Sequence, residues 1–167
     1  MAKKSLTITL YKSELLYDIR NLTYLTGRSR NNGNNHEEVA NMQASEDDED
    51  NNQILRSIGN ALDSLKTKLS EYFEGSSVTT SNNELIESTG DITIKLSMPS
   101  NYNLSTADSI TSACHQYIVN ISTADWFAIT NKADAGDYVS KAAANLEMIR
   151  EAAYKRIRPT RTSVSSS

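Results

Sequence analysis

Two histidines and one cysteine are the only side chains in this 167-residue chain able to supply an imidazole base or a thiolate nucleophile. Cys114 and His115 are adjacent, and neighbouring positions on a helix point about 100° apart rather than toward each other. A thiolate–imidazole pair needs hydrogen-bond reach. Cys114 therefore reads as a small buried hydrophobe on the apolar side of a helix with Ile110, Tyr117 and Ile118. His36 followed by Glu37 and Glu38 invites a metal reading, but no second histidine stands at i,i+4 and the preceding segment is Asn-rich. The run Glu46-Asp47-Asp48-Glu49-Asp50 could hold calcium loosely. It lacks the alternating Asp, the glycine turn and the distal bidentate Glu of an EF-hand loop.

Other chemistry leaves no trace in the spacing. The six glycines form neither a dinucleotide-binding nor a P-loop pattern, and no Gly-x-Ser-x-Gly elbow occurs. No pair of carboxylates is pinned at a separation useful for acid–base work. The sequence thus predicts no catalytic residue, no cofactor and no metal site. A single cysteine also excludes a disulfide framework and a Cys-based zinc cluster.

The charges are more informative. Hydrophobic residues make up 38% and the net charge is −4, too neutral for a general nucleic-acid coat. That value hides an asymmetry: +4 over residues 1–30, −9 over 31–100 and +1 over 101–167. The acidic run 46–50 supplies much of the middle value, while Arg150, Lys155, Arg156, Arg158 and Arg161 gather near the other end. The acidic run reads as a solvated loop and helix start. A molecule with separate acidic and basic regions can also dock head to tail with copies of itself. The expected interaction residues are therefore Glu46, Asp47, Asp48, Glu49 and Asp50 on one side, and Arg150, Lys155, Arg156, Arg158 and Arg161 on the other. With Pro159 ending the last helix, the arginines are expected to fan outward and to pair with carboxylates.

The elements that position these groups are mostly helical. Leu6, Ile8 and Leu10 alternate with Ser5, Thr7 and Thr9, predicting a strand near 5–10; Ile92, Ile94 and Leu96 predict another over 91–98. The two could pair within one chain or between chains. Leu15, Leu16, Ile19, Leu22 and Leu25 have helical spacing, with Gly27 as a stop. Asn31 to Asn35 reads as a loop, followed by a short helical piece after His36. Ile54, Ile58, Leu62, Leu65, Leu69 and Tyr72 mark the clearest helix, with acids at its positive end. Residues 75–83 read as a polar loop. A helix opens at the Ser105-Thr-Ala-Asp108 capping box and breaks and restarts at the repeated Ser122-Thr-Ala-Asp125. The last helix carries Tyr138, Ala142, Leu146, Ile149, Ala153 and Ile157 on one stripe and ends in bases before Pro159.

The expected fold is mainly α: a bundle of three to four helices with a small two-stranded β element. It forms one domain over 1–158, with an Asn-rich and acidic loop insertion at 31–52 and a polar tail at 159–167. A domain of this length buries about 70% of its unfolded surface, enough for a real core. No apolar stretch approaches the roughly 18 residues of a membrane span, and Lys12 and Glu14 interrupt any signal-peptide core. No membrane contact is expected.

The last third, from Asp125-Trp126-Phe127 through Tyr138, Leu146, Ile149-Arg150, Tyr154-Lys155-Arg156 and Arg158-Pro159-Thr160-Arg161, resembles small neck or tail ring proteins of tailed bacteriophages, in particular crAss-like phages of Bacteroidetes. The resemblance covers about 40 residues and carries no catalytic residue with it. It implies a structural virion protein that forms a homo-oligomeric ring connecting portal to tail. It also implies contacts with portal or adjoining neck and tail proteins, and a channel through which DNA passes without sequence-specific contact. The residues leave a second reading open: a small helical module docking nucleic acid or an acidic protein through its basic C-terminal end. An enzyme using the Cys114/His115 region is a third.

Overall fold

A computed structural model describes residues 2–73 and 86–162. The polar loop expected at 75–83 and the last five residues of the tail lie outside them.

Strands β1 (Lys4–Tyr11) and β2 (Asp91–Met98) pair antiparallel within the one chain. Their register sets Leu6 opposite Leu96, Ile8 opposite Ile94 and Leu10 opposite Ile92. Alternation then puts these six side chains on one buried face and Thr7, Thr93 and Lys95 on an exposed one. A lone two-stranded ribbon is marginal in water. This one is held because helices cover its apolar face, where each buried Leu or Ile contributes about 1.5–3 kcal/mol.

The helices are α1 (Lys12–Ser29), α2 (His36–Met42), α3 (Asp48–Lys68), α4 (Ala107–Thr130) and α5 (Lys132–Tyr154). The fold is mainly α with a small antiparallel sheet, as the sequence predicts; the described residues hold five α-helices where three or four were expected. Helix α4 is the central element. Ile110, Cys114, Tyr117, Ile118, Val119, Trp126 and Phe127 are all buried on it, so it is apolar on most of its circumference. It packs against α5, α3, α1 and β1. A single residue, Asn131, joins α4 to α5, which folds the two into a tight hairpin.

Several sequence expectations are corrected. Helix α4 runs unbroken through Ser122-Thr-Ala-Asp125. The Thr123 hydroxyl donates to the Val119 carbonyl at 2.8 Å, one turn back, so this buried polar group is satisfied by the helix it was expected to break. The expected capping box also fails: Ser105 lies inside a short 3-10 turn (Leu104–Thr106), α4 starts only at Ala107, and Thr106, in the cap position, caps no amide but donates its hydroxyl to the carbonyls of Asn103 and Ala152. Gly27 does not end α1, which continues to Ser29. A Cβ there would sit 2.8 Å from Gln43 Cγ, so the glycine allows the α2–α3 link to cross close to α1. Leu25 is exposed rather than part of the core stripe.

The 31–52 segment is not loop throughout. Asn31, Asn32 and Asn35 accept amide hydrogen bonds around Gly33, whose φ of 88° belongs to the left-handed region. Helix α2 and the first turn of α3 follow.

Candidate interaction surface

The acidic segment is built at the start of α3. Asp48, Glu49 and Asp50 fill its first turn, where carboxylates complement the positive end of the helix dipole. Asp50 is half-buried and accepts from both the amide and the hydroxyl of Ser45 at 2.8 Å, so it folds the turn. Glu46, Asp47, Asp48 and Glu49 are exposed, and their carboxylates have no partner among the described residues. Glu37 and Glu38, in the first turn of α2, line a shallow cleft with Asn34, Asn35, Asn41 and Thr130 at the end of α4. Trp126 Nε1 donates to the Met42 carbonyl at 2.8 Å and fastens this end together.

The basic segment is built at the opposite end. Helix α5 stops at Tyr154, before the bases rather than at Pro159. Residues 155–157 leave the helix and run antiparallel to residues 101–103. Asn103 N donates to the Lys155 carbonyl at 3.1 Å and Ile157 N to the Asn101 carbonyl at 2.8 Å. The Tyr154 hydroxyl donates to Glu71 Oε1 at 3.1 Å, and its ring meets the Tyr72 ring edge-on at 6.3 Å. These contacts place the basic arm beside the C-terminal end of α3.

The five bases do not act alike. Arg156 does not fan outward. Its Nη1 donates to the Ala153 carbonyl at 2.8 Å and the Lys155 carbonyl at 3.2 Å, and its guanidinium lies 5.9 Å from the Tyr154 ring centre. The unpaired carbonyls at the end of α5 draw the cation back onto the helix. Burial raises the Tyr72 phenol pKa, and the nearby Arg156 cation partly offsets it. Arg150 pairs with Glu147 one turn back at 3.1 Å, in an exposed bridge that contributes little. Lys155, Arg158 and Arg161 are exposed, with no side-chain partner among the described residues.

Helix α3 separates the two segments. Its 21 residues span about 30 Å at 1.5 Å per residue. The acidic and basic segments therefore occupy opposite poles and do not pair within one chain.

The structure also places the remaining candidates. Cys114 is fully buried, and burial alone pushes its thiol pKa up to about 12, so it stays protonated at neutral pH. His115 Nε2 lies 2.6 Å from Asp18 Oδ2, linking α4 to α1 across 97 residues, a pair no local spacing reveals. His36 opens α2, and among the described residues no group of three His, Cys, Asp or Glu side chains is placed to hold a metal. No helix among them is long and apolar enough to cross a membrane. The pairing of 101–103 with 155–157 was also missed, because it joins distant segments whose sequences carry no strand periodicity.

No protein-family model matches this chain, and neither a curated protein nor a solved structure is significantly similar to it.

Proposed function

We propose that the protein is a structural subunit that works by head-to-tail self-assembly, as a ring in the neck or tail of a tailed phage. In that setting it connects portal to tail, contacts portal or adjoining neck and tail proteins, and surrounds the DNA channel of the virion. The observation that carries this reading is the separation of charge. Glu46 to Glu49 project from one pole and Lys155, Arg158 and Arg161 from the other, about 30 Å apart along α3. Neither set has a side-chain partner among the described residues. Arg forks pair well with carboxylates, and the contact from one copy's basic pole to the next copy's acidic pole is heterologous, which closes into a ring when the rotation per step allows. The neck or tail setting comes from the resemblance of the last third of the sequence, and the pole arrangement is compatible with it.

Sedimentation velocity of the full chain tests this. At about 0.05 M salt the expected species are multiples of the 18.5 kDa chain. At about 1 M salt, where the screening length falls to about 3 Å, they dissociate into smaller ones. An unchanged mass across that range, together with steeply salt-dependent DNA binding lost in Arg158→Glu/Arg161→Glu, supports the binding-module reading instead.

A further inference from the structure

The geometry points to a second interface, on the outer edge of β1, where β1 of a second copy adds antiparallel to make a continuous four-stranded sheet. This deepens the assembly reading and supplies a lateral contact distinct from the charged poles.

The hydrogen-bond phase of the sheet identifies the edge. Lys12 N donates to the Gly90 carbonyl at 3.2 Å, one step beyond the Tyr11–Asp91 pair. Hydrogen-bonded and non-hydrogen-bonded pairs alternate along an antiparallel ladder. Leu10, Ile8 and Leu6 therefore bond to β2, while the N–H and C=O groups of Ser5, Thr7 and Thr9 turn outward; the Tyr11 carbonyl is taken by the first turn of α1. Among the described residues nothing bonds to those outward groups. The other side of the sheet differs, since Phe73 forms a bridge to Leu96 there.

The β1 edge also lacks the usual protection. Folded proteins blunt such edges with proline, bulges, charges or very short strands. β1 has eight residues in unbroken register, no proline, and an uncharged run from Ser5 to Leu10. Ser5, Thr7 and Tyr11 are exposed.

The register argues for a second copy as the occupant. Two seven-residue antiparallel overlaps of β1 with itself match outward groups with outward groups; the one centred on Thr7 sets Thr7 against Thr7 and Ser5 against Thr9 of the second copy, and it does not need the Tyr11 carbonyl that α1 occupies. Thr–Thr and Thr–Ser cross-strand pairs are favourable. Lys3 then falls opposite Tyr11 of the second copy, with that copy's Asp91 next across the sheet on the same face, a countercharge within reach of its long side chain. Leu6, Ile8 and Leu10 stay on the face already covered by helices, so pairing exposes no apolar side chain.

The test is the mass of the full chain at about 1 M salt, where pole contacts are screened. The wild type is expected at twice 18.5 kDa, and Thr7→Pro at 18.5 kDa. Proline at position 7 removes an outward N–H and no hydrogen bond to β2. Should Thr7→Pro fail to fold, Thr7→Cys takes its place: mild oxidation is expected to cross-link two copies, since buried Cys114 does not compete. Slow amide exchange at Thr7 and Thr9 in the wild type is expected as well. A wild-type monomer at high salt, or a Thr7→Cys chain that stays uncross-linked, overturns this interface even if low-salt assembly persists. So does an edge protected from exchange only after a different protein is added. A dimer that persists while salt-sensitive assembly is absent sinks the pole reading and leaves this one standing.

Discussion

The amide of Ile157 donates to the carbonyl of Asn101 at 2.8 Å, so the basic arm starts from a fixed point on the fold rather than from a frayed helix end. The same pairing places Lys155 and Arg156 beside the end of α3, and Arg158 and Arg161 lie past the last anchored residue. A chain ending at Ile157 should therefore keep the core intact. Its melting temperature is expected within about 3 °C of the full chain, because little buried surface is removed. Its low-salt self-association should fall sharply. Differential scanning calorimetry and sedimentation of the two chains check both halves, and a truncated chain that still assembles contradicts the role given to Arg158 and Arg161.

Asp134 gives the fold an acid-sensitive clamp. Arg30 Nε donates to its Oδ2 at 2.9 Å, a second bond runs from Arg30 Nη2 to Oδ1, and Asn131 Nδ2 donates to Oδ2 at 2.6 Å. The Arg30 hydrogen bond holds the carboxyl below its ordinary pKa of 3.8, against the opposing effect of burial. A carboxyl with a depressed folded-state pKa contributes stability that is present above 3.8 and lost as pH falls through the folded value. Arg30 is half exposed, so solvent screens the pair and keeps the effect modest. Asp134→Asn should thus be modestly less stable than the parent at neutral pH, with the gap closing in strong acid. Urea unfolding at both pH values measures it, and a gap that does not change with pH contradicts the clamp.

Cys114 is expected to be chemically silent. Replacing it with Ala should cost about 1 kcal/mol through a small cavity between α4 and its neighbours, and leave assembly unchanged. Thiol alkylation should be slow in the native protein and fast in urea. Rapid native alkylation that abolishes a biological activity would instead support an enzyme built on Cys114 and His115.

The local parts of this fold were legible and the long-range parts were not. The strands follow from strict alternation at Leu6, Ile8, Leu10 and Ile92, Ile94, Leu96, and α3 from apolar residues three and four apart. The break expected at Ser122 to Asp125 was wrong because capping residues buried inside a helix can bond to the preceding turn, as Thr123 does. The end of α5 was misjudged because residues 155–157 pair with residues 101–103, a competition that Pro159 does not signal. The charge clusters were visible as runs, but their places at opposite ends of α3 depend on packing. Arg156 could not be separated from its neighbours without seeing the carbonyls it covers.

The most direct test of head-to-tail assembly is charge-swap complementation, read by native mass spectrometry at low salt. One variant replaces Glu46, Asp47, Asp48 and Glu49 with Lys; the other carries Arg158→Glu and Arg161→Glu. Each variant alone presents like charges at both poles and is expected to lose salt-sensitive assembly. Mixed in equal amounts, each offers the pole the other lacks, and assemblies alternating the two chains are expected to form. Variants that assemble alone as the wild type does, or a mixture no larger than either component, would contradict the account.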